Sequence, residues 1–189
     1  MATQTMKEKF AGVFEGLKDS MGYTNVMQTP RIEKVVISTG TGKIEDKQKI
    51  ALIQDRLALI TGQKSAARPA RMSLASFKLR EGDIVGYQVT LRGDRMHNFL
   101  DKLVHIALPQ TRDFRGLKPG SIDEMGNYTL GIKEHTIFPE TVDEELKDVF
   151  GLAITIVTSA KTKEEAEALL RHIGLPLQKP VEETTEETA

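Results

Sequence analysis

The sequence predicts a mixed α+β fold, and three observations carry that prediction. Apolar residues recur at helical spacing in four segments, β-branched or alternating runs lie between them, and glycine or proline closes most segments. The elements follow in chain order.

Met6, Phe10, Val13, Phe14, Leu17 and Met21 form one helical stripe that stops at Gly22. After a loop at residues 25–30, Ile32, Val35, Val36 and Ile37 read as a strand buried on both faces, ended by Gly40 and Gly42. Ile50, Ile53, Leu57 and Ile60 give a second helix, stopped by Thr61 and Gly62. Val85, Tyr87, Val89 and Leu91 alternate with Gly86, Gln88, Thr90 and Arg92, the pattern of a strand with one buried and one polar face. Asp94 is placed to cap a third helix through Met96, Phe99, Leu100, Leu103, Val104 and Ala107, with Pro109 as its terminator. Tyr128, Leu130 and Ile132 mark a further strand, and residues 152–158 a buried one. Thr162 and Glu165 form a capping box for a last helix with Ala166, Leu169, Leu170 and Ile173, closed by Gly174 and Pro176. A single domain is expected over residues 1–179. The Glu- and Thr-rich stretch 180–189 has little to bury and is expected to be a disordered acidic tail.

Composition narrows the function. The chain has 189 residues and no cysteine, which excludes disulfide scaffolds, thiolate metal sites and cysteine nucleophiles and fits a reducing, cytoplasmic home. No stretch approaches the length needed to cross a bilayer, so no membrane partner is expected. The net charge of −1 conceals an asymmetry. Residues 31–120 hold 17 basic and 9 acidic residues, whereas residues 121–189 hold 6 and 15. A polyanion would meet the middle of the chain and be repelled by its end, which suits a protein placed between nucleic acid and a basic protein.

Candidate sites follow from residue types and spacing. Thr39, Gly40, Thr41, Gly42 and Lys43 sit between a strand and a helix, yet Ile37 and Ile44 occupy positions where a phosphate loop needs Gly and Ser or Thr. His97, His105, His135 and His172 lack ligand spacing, so no metal is expected, and no catalytic signature is present. What stands out is positions 56–80, with Arg56, Lys64, Arg68, Arg71, Lys78 and Arg80 and not one acid. Cations on a segment short of hydrophobic anchors point to a phosphate backbone, because neutralised phosphates release condensed counterions. Gln88, Thr90 and Arg92, on the polar face of the adjoining strand, supply groups that can reach riboses and base edges.

These residues also carry a resemblance. Pro30, Arg31, Ile32, Glu33 and Lys34, then Thr61, Gly62, Gln63 and Lys64, then Phe77, Lys78, Leu79, Arg80, Glu81 and Gly82 resemble the bacterial form of the fifth large-subunit ribosomal protein family. Val89, Thr90, Leu91, Arg92 and Gly93, then Ala107, Leu108 and Pro109, then Arg112, Asp113, Phe114, Arg115 and Gly116 continue it in order. So do Gly126, Asn127 and Tyr128, then Ile137, Phe138, Pro139 and Glu140, and finally Thr158, Ser159, Ala160, Lys161 and Thr162, so that the match spans residues 7–179.

The resemblance implies a mainly antiparallel sheet with helices packed on one side and a protruding basic loop at about residues 68–82. It implies a structural constituent of the large ribosomal subunit, with no cofactor and no catalysis. The expected partners are 5S rRNA in the central protuberance, large-subunit rRNA, peptidyl-site tRNA, a basic protein of the small-subunit head, and neighbouring central-protuberance proteins. Carried over by position, Ser38, Thr39, Gln63, Lys64, Thr90 and Arg92 are expected at 5S rRNA. Arg68, Arg71, Ser73, Lys78 and Arg80 are expected on the tRNA-facing loop, and Arg112, Asp113, Arg115, Asp143 and Glu144 at the small-subunit bridge. Ser38 stands where the family usually has Asn, Met72 replaces the second of a basic pair, and Val142 replaces a spaced acid. The alternative is a small-molecule or nucleotide-binding α+β enzyme using the turn from Gly40 to Lys43.

Overall fold

The computed structural model describes residues 6–178, apart from 43, 45 and 142–148. Its strands are β1 (Ile32–Gly40), β2 (Ala66–Pro69), β3 (Ile84–Leu91), β4 (Tyr128–Ile132) and β5 (Leu152–Thr158). They form one sheet in the order β2-β3-β1-β5-β4, with every neighbouring pair antiparallel. The helices are α1 (Met6–Ala11), α2 (Val13–Met21), α3 (Lys47–Thr61), α4 (Gly93–Lys102), α5 (Leu108–Gln110) and α6 (Lys163–Ile173). The α+β class is therefore as the sequence predicts.

One face of the sheet is buried against helices. Val35, Ile37, Val89, Leu91, Leu130, Ile154 and Ile156 join Leu57, Leu100, Leu169 and Leu170 in a single core. Two-sided burial of β1 does not form: Ile32, Val35, Ile37 and Thr39 are buried, whereas Lys34, Val36 and Ser38 are only half-buried. β5 behaves alike, with Ala153, Thr155 and Val157 half-buried between buried neighbours. The branched Val36 and Val157 imitate core residues in sequence but lie on the face that the helices leave open.

Three local expectations are corrected by competing interactions. The first stripe is two helices, divided at Gly12; α2 then packs on α6 so closely that a Cβ at Gly16 would fall 2.3 Å from the His172 ring. Asp94 caps nothing, since the cap position is Arg92; it lies in the first turn of α4 and pairs with Lys7 of α1 at 2.7 Å. Pro109 does not end the third helix. Beyond α4 the chain widens into a π-turn at Leu103–Ala107, the Leu108 N–H reaches back to Leu103, and α5 runs through Pro109. The wide turn relieves the clash between a proline ring and the carbonyl four residues earlier. At α6, Thr162 accepts the Glu165 N–H as expected at 3.3 Å, but the Glu165 carboxylate reaches the Lys161 N–H at 2.9 Å rather than that of Thr162.

β2 has no counterpart in the sequence reading. Ala66, Ala67, Arg68 and Pro69 carry no strand signal, and they become a strand by pairing with β3. The tail 180–189 lies outside the described residues.

Candidate RNA interface

Residues directly opposed across antiparallel strands share a face of the sheet, so the register defines what the open face displays. Ser38 lies opposite Gln88 and Ala153; Val36 lies opposite Thr90 and Thr155; Lys34 lies opposite Val157. On the flanks, Arg68 lies opposite Gly86 and Thr129 opposite Thr155. The Thr129 and Thr155 hydroxyls are 3.1 Å apart and hydrogen-bonded. The face thus combines amide and hydroxyl groups with Lys34 and Arg68, and none of these opposed positions carries an acid.

Its margin is built by the end of α3. Gly62 adopts φ +68°, a left-handed conformation that glycine takes freely, and turns the chain so that Gln63 faces β3. The Lys102 ammonium donates to the Ile60 carbonyl at 2.7 Å and pins the preceding turn. The Gln63 carboxamide then donates to the Thr90 carbonyl at 3.4 Å and accepts from Arg95 at 3.5 Å. Both bonds are long, and Arg92, Arg95 and Lys64 are exposed beside them. Arg95 and Lys34 escape the sequence reading. Lys34 is signalled only by its even spacing from Val36 and Ser38, and Arg95 only by the turn that brings Gln63 to it.

Not every expected residue reaches this face. Thr39 points to the core side of β1, is 6% exposed, and donates its hydroxyl to the Gly151 carbonyl at 2.8 Å. Arg68 lies on β2 rather than in the loop, and its Nε donates to the Gln88 carboxamide at 2.6 Å.

The segment between β2 and β3 is an ordered projection. Ala70 and Asp83, then Leu74 and Leu79, are joined by backbone bonds that carry the hairpin outward. The Ser73 hydroxyl accepts the Glu81 N–H at 3.0 Å, so Ser73 braces the projection. Lys78 sits at φ +54°, and Arg71, Lys78 and Arg80 stand on its surface. Between them Met72 and Phe77 are 62% and 70% exposed, unusual for residues of their size without a partner.

Arg112, Asp113 and Arg115 are exposed on residues 111–116, where Asp113 adopts φ +54°. Asp143 and Glu144 lie outside the described residues. In the turn after β1, the Thr41 N–H is spent on the Val85 carbonyl at 2.9 Å, so it is not available to a phosphate. Among the described residues no group of three His, Asp or Glu side chains is placed to hold a metal.

A helix-backed antiparallel sheet whose open face pairs amides, hydroxyls and cations defines a binding module suited to a polyanion. Comparison with known proteins gives the family. Residues 25–80 match the family model described as Ribosomal protein L5, and residues 84–177 match the model for the C-terminus of that same ribosomal family. The chain is similar to proteins named large ribosomal subunit protein uL5. It is 49% identical over 163 residues to that of Anaeromyxobacter sp. (strain K), covering 86% of this chain and 91% of the relative. For Flavobacterium johnsoniae the figures are 47% over 179 residues, 94% and 98%, and for Ureaplasma urealyticum serovar 10 they are 49% over 168 residues, 88% and 91%. The chain belongs to the uL5 family of large-subunit ribosomal proteins. It is a component of the ribosome working in translation, not an enzyme. The two matched segments contribute interleaved strands to one sheet, β1 and β2 from the first and β3, β4 and β5 from the second.

Proposed function

We propose that the open sheet face docks 5S rRNA in the central protuberance of the large subunit, with Ser38, Gln63, Lys64, Thr90, Arg92 and Arg68 in contact. The observation that carries this reading is the run of amides, hydroxyls and cations at the paired positions of β2, β3 and β1, with no carboxylate among them; the one acid of these strands, Glu33, is at the bulge between Ile32 and Lys34. Wide RNA minor grooves present 2′-hydroxyls and phosphates to such a surface. The projection bearing Arg71, Lys78 and Arg80 faces peptidyl-site tRNA. Arg112, Asp113 and Arg115, with Asp143 and Glu144, meet a basic protein of the small-subunit head, and large-subunit rRNA and central-protuberance proteins complete the surroundings.

The test is filter binding of the purified chain to 5S rRNA. Thr90→Val keeps the shape and removes one hydroxyl, which costs about 1–3 kcal/mol where it leaves a partner unpaired, or roughly tenfold to a hundredfold in affinity. Log affinity should fall with log salt at a slope of about −2 to −3 if three or four phosphates are neutralised. Wild-type affinity in Thr90→Val together with salt-independent binding defeats the reading.

A further inference from the structure

We propose that the cavity between α1, α2 and the segment 23–31 seats one unpaired ribosomal RNA nucleotide, at a site separate from the sheet face. The cavity has a volume of about 850 Å³, within the ~300–1,000 Å³ typical of small-molecule pockets. Phe10, Phe14 and Tyr23 supply its aromatic wall. Val26 and Met27 form an outer lip at 59% and 88% exposure, apolar surface that folding leaves uncovered.

The lip is held in place for presentation. Asn25 accepts the Met27 N–H at 3.0 Å, and the Gln28 carboxamide oxygen accepts from the Thr24 N–H, the Thr24 hydroxyl and the Asn25 N–H. This reciprocal cap fixes a single turn of 3₁₀ helix, Val26–Gln28, that points Met27 outward.

Polarity selects the occupant. Tyr23, only 8% exposed, and Thr29 both border the cavity; the Tyr23 hydroxyl is turned to the Glu165 carboxylate, and the Thr29 hydroxyl is buried with no partner among the described residues. That carboxylate faces the same space; with the Lys161 N–H on one oxygen and the Tyr23 phenol beside it, its lone pairs still accommodate a further donor. Burial and the Glu165 charge hold the Tyr23 phenol above its ordinary value, so it stays a neutral donor. Arg31 and Lys161 stand exposed at the mouth. An apolar side chain from a protein would desolvate the carboxylate and hydroxyls without pairing them. A lysine or arginine would meet the carboxylate only after passing two cations. A nucleotide meets the apolar wall and both charges: its ring lies on the Phe and Met surface, an N–H of its base donates to Glu165, and its phosphate stays with Arg31 and Lys161. The carboxylate calls for a base with an N–H donor on its edge, which is the amino group of adenine, guanine or cytosine or the N3–H of uracil. Membership of the large subunit supplies the RNA, and the inference does not rest on the sheet-face reading.

The test uses the full chain with a benzophenone amino acid in place of the exposed Met27, assembled into reconstituted large subunits and irradiated. Protein content of the subunits is checked first by gel. The expected result is one dominant adduct at a single unpaired nucleotide, mapped by reverse-transcription stops. In the same chain, Arg31→Glu with Lys161→Glu should lower its yield at least about tenfold, because two cations are reversed. Glu165→Gln, which keeps an acceptor for the Lys161 N–H, should lower the yield without changing the melting temperature. An adduct on a protein or on a paired nucleotide overturns the proposal. So does the absence of an adduct in subunits that contain the chain, or a yield indifferent to charge reversal.

Discussion

The Arg68 guanidinium lies across β3 and donates through Nε to the Gln88 carboxamide at 2.6 Å, tying the edge strand β2 to the open face. About four N–H donors remain for phosphate after that bond forms. Arg68→Ala should therefore weaken 5S rRNA binding by about 1.5–3 kcal/mol, as a lost hydrogen bond to a charged group does. It should also make the salt slope shallower by roughly 0.7–0.9, the contribution of one phosphate. Arg68→Lys should restore the slope but not the affinity, since an ammonium cannot hold Gln88 and a phosphate in the same fork. A salt series by filter binding reads both quantities, and an unchanged slope for Arg68→Ala places the residue outside the interface.

Gly86 of β3 lies opposite Gly40 of β1. A Cβ built there falls 2.6 Å from the Thr39 carbonyl oxygen, which belongs to backbone and cannot swing aside. Gly86→Ala must separate the two strands or twist them, at a cost of roughly 1–3 kcal/mol, the range for overpacking. Urea denaturation of the variant should show a lower midpoint with an unchanged m-value. A midpoint equal to that of the wild type would mean that the strands part without strain.

The helices and the alternation in β3 were legible because solvent on one side and a core on the other impose a period on the residues themselves. β2 was not, because Ala66, Ala67, Arg68 and Pro69 owe their extended form to β3 alone. The openness of β1 was hidden for the opposite reason, since Val36 is branched and apolar yet faces outward beside Thr90. At the candidate interface the cations and the polar strand could be read from residue type. That Thr39 turns inward while Ser38 turns outward follows from strand phase, which depends on where the helices pack. Arg95 meets Gln63 only through the left-handed turn at Gly62, a contact between positions 32 apart that no local pattern encodes.

Acidification should loosen the seat of α1. His97 of α4 packs its ring on Phe10 at 5.0 Å, with Nδ1 buried and unpartnered. Burial, reinforced by the Lys7 charge and opposed by Asp94 and Asp101, holds its pKa below the ordinary imidazole value. The folded state thus binds the proton less tightly than the unfolded chain. The stabilisation is complete above the unfolded value of about 6.5 and is lost as pH falls through the lower folded value. Asp94, held below the usual carboxylate range by Lys7, stays ionised through that window and adds no slope. Melting temperatures measured between about pH 7.5 and pH 5 should fall for the wild type and fall less for His97→Gln. Identical slopes would assign the acid sensitivity to other groups.

The projection between β2 and β3 should be separable from the sheet face. Arg71, Lys78 and Arg80 stand on a hairpin whose backbone is closed by its own bonds, from Ala70 and Asp83 at the base to Leu74 and Leu79 beyond. Removing two charges there leaves those bonds intact, and surface substitutions of this kind change stability by about 0.5 kcal/mol or less. Arg71→Ala with Arg80→Ala should accordingly keep the melting temperature and bind purified 5S rRNA within a few-fold of the wild type. On reconstituted ribosomes the same variant should release peptidyl-site tRNA faster, because rim charges act on a partner that arrives and leaves with each cycle. Phe77→Ser should have the same effect by a different route. Its ring is 70% exposed and packs on no core, so its loss removes a surface on which a base can stack without touching charge. The charge variant should lose its defect as salt rises, since screening already weakens the wild-type contact, whereas the Phe77→Ser defect should persist. If Arg71→Ala with Arg80→Ala loses 5S rRNA as severely as Thr90→Val, the projection belongs to the 5S site and the two surfaces are one.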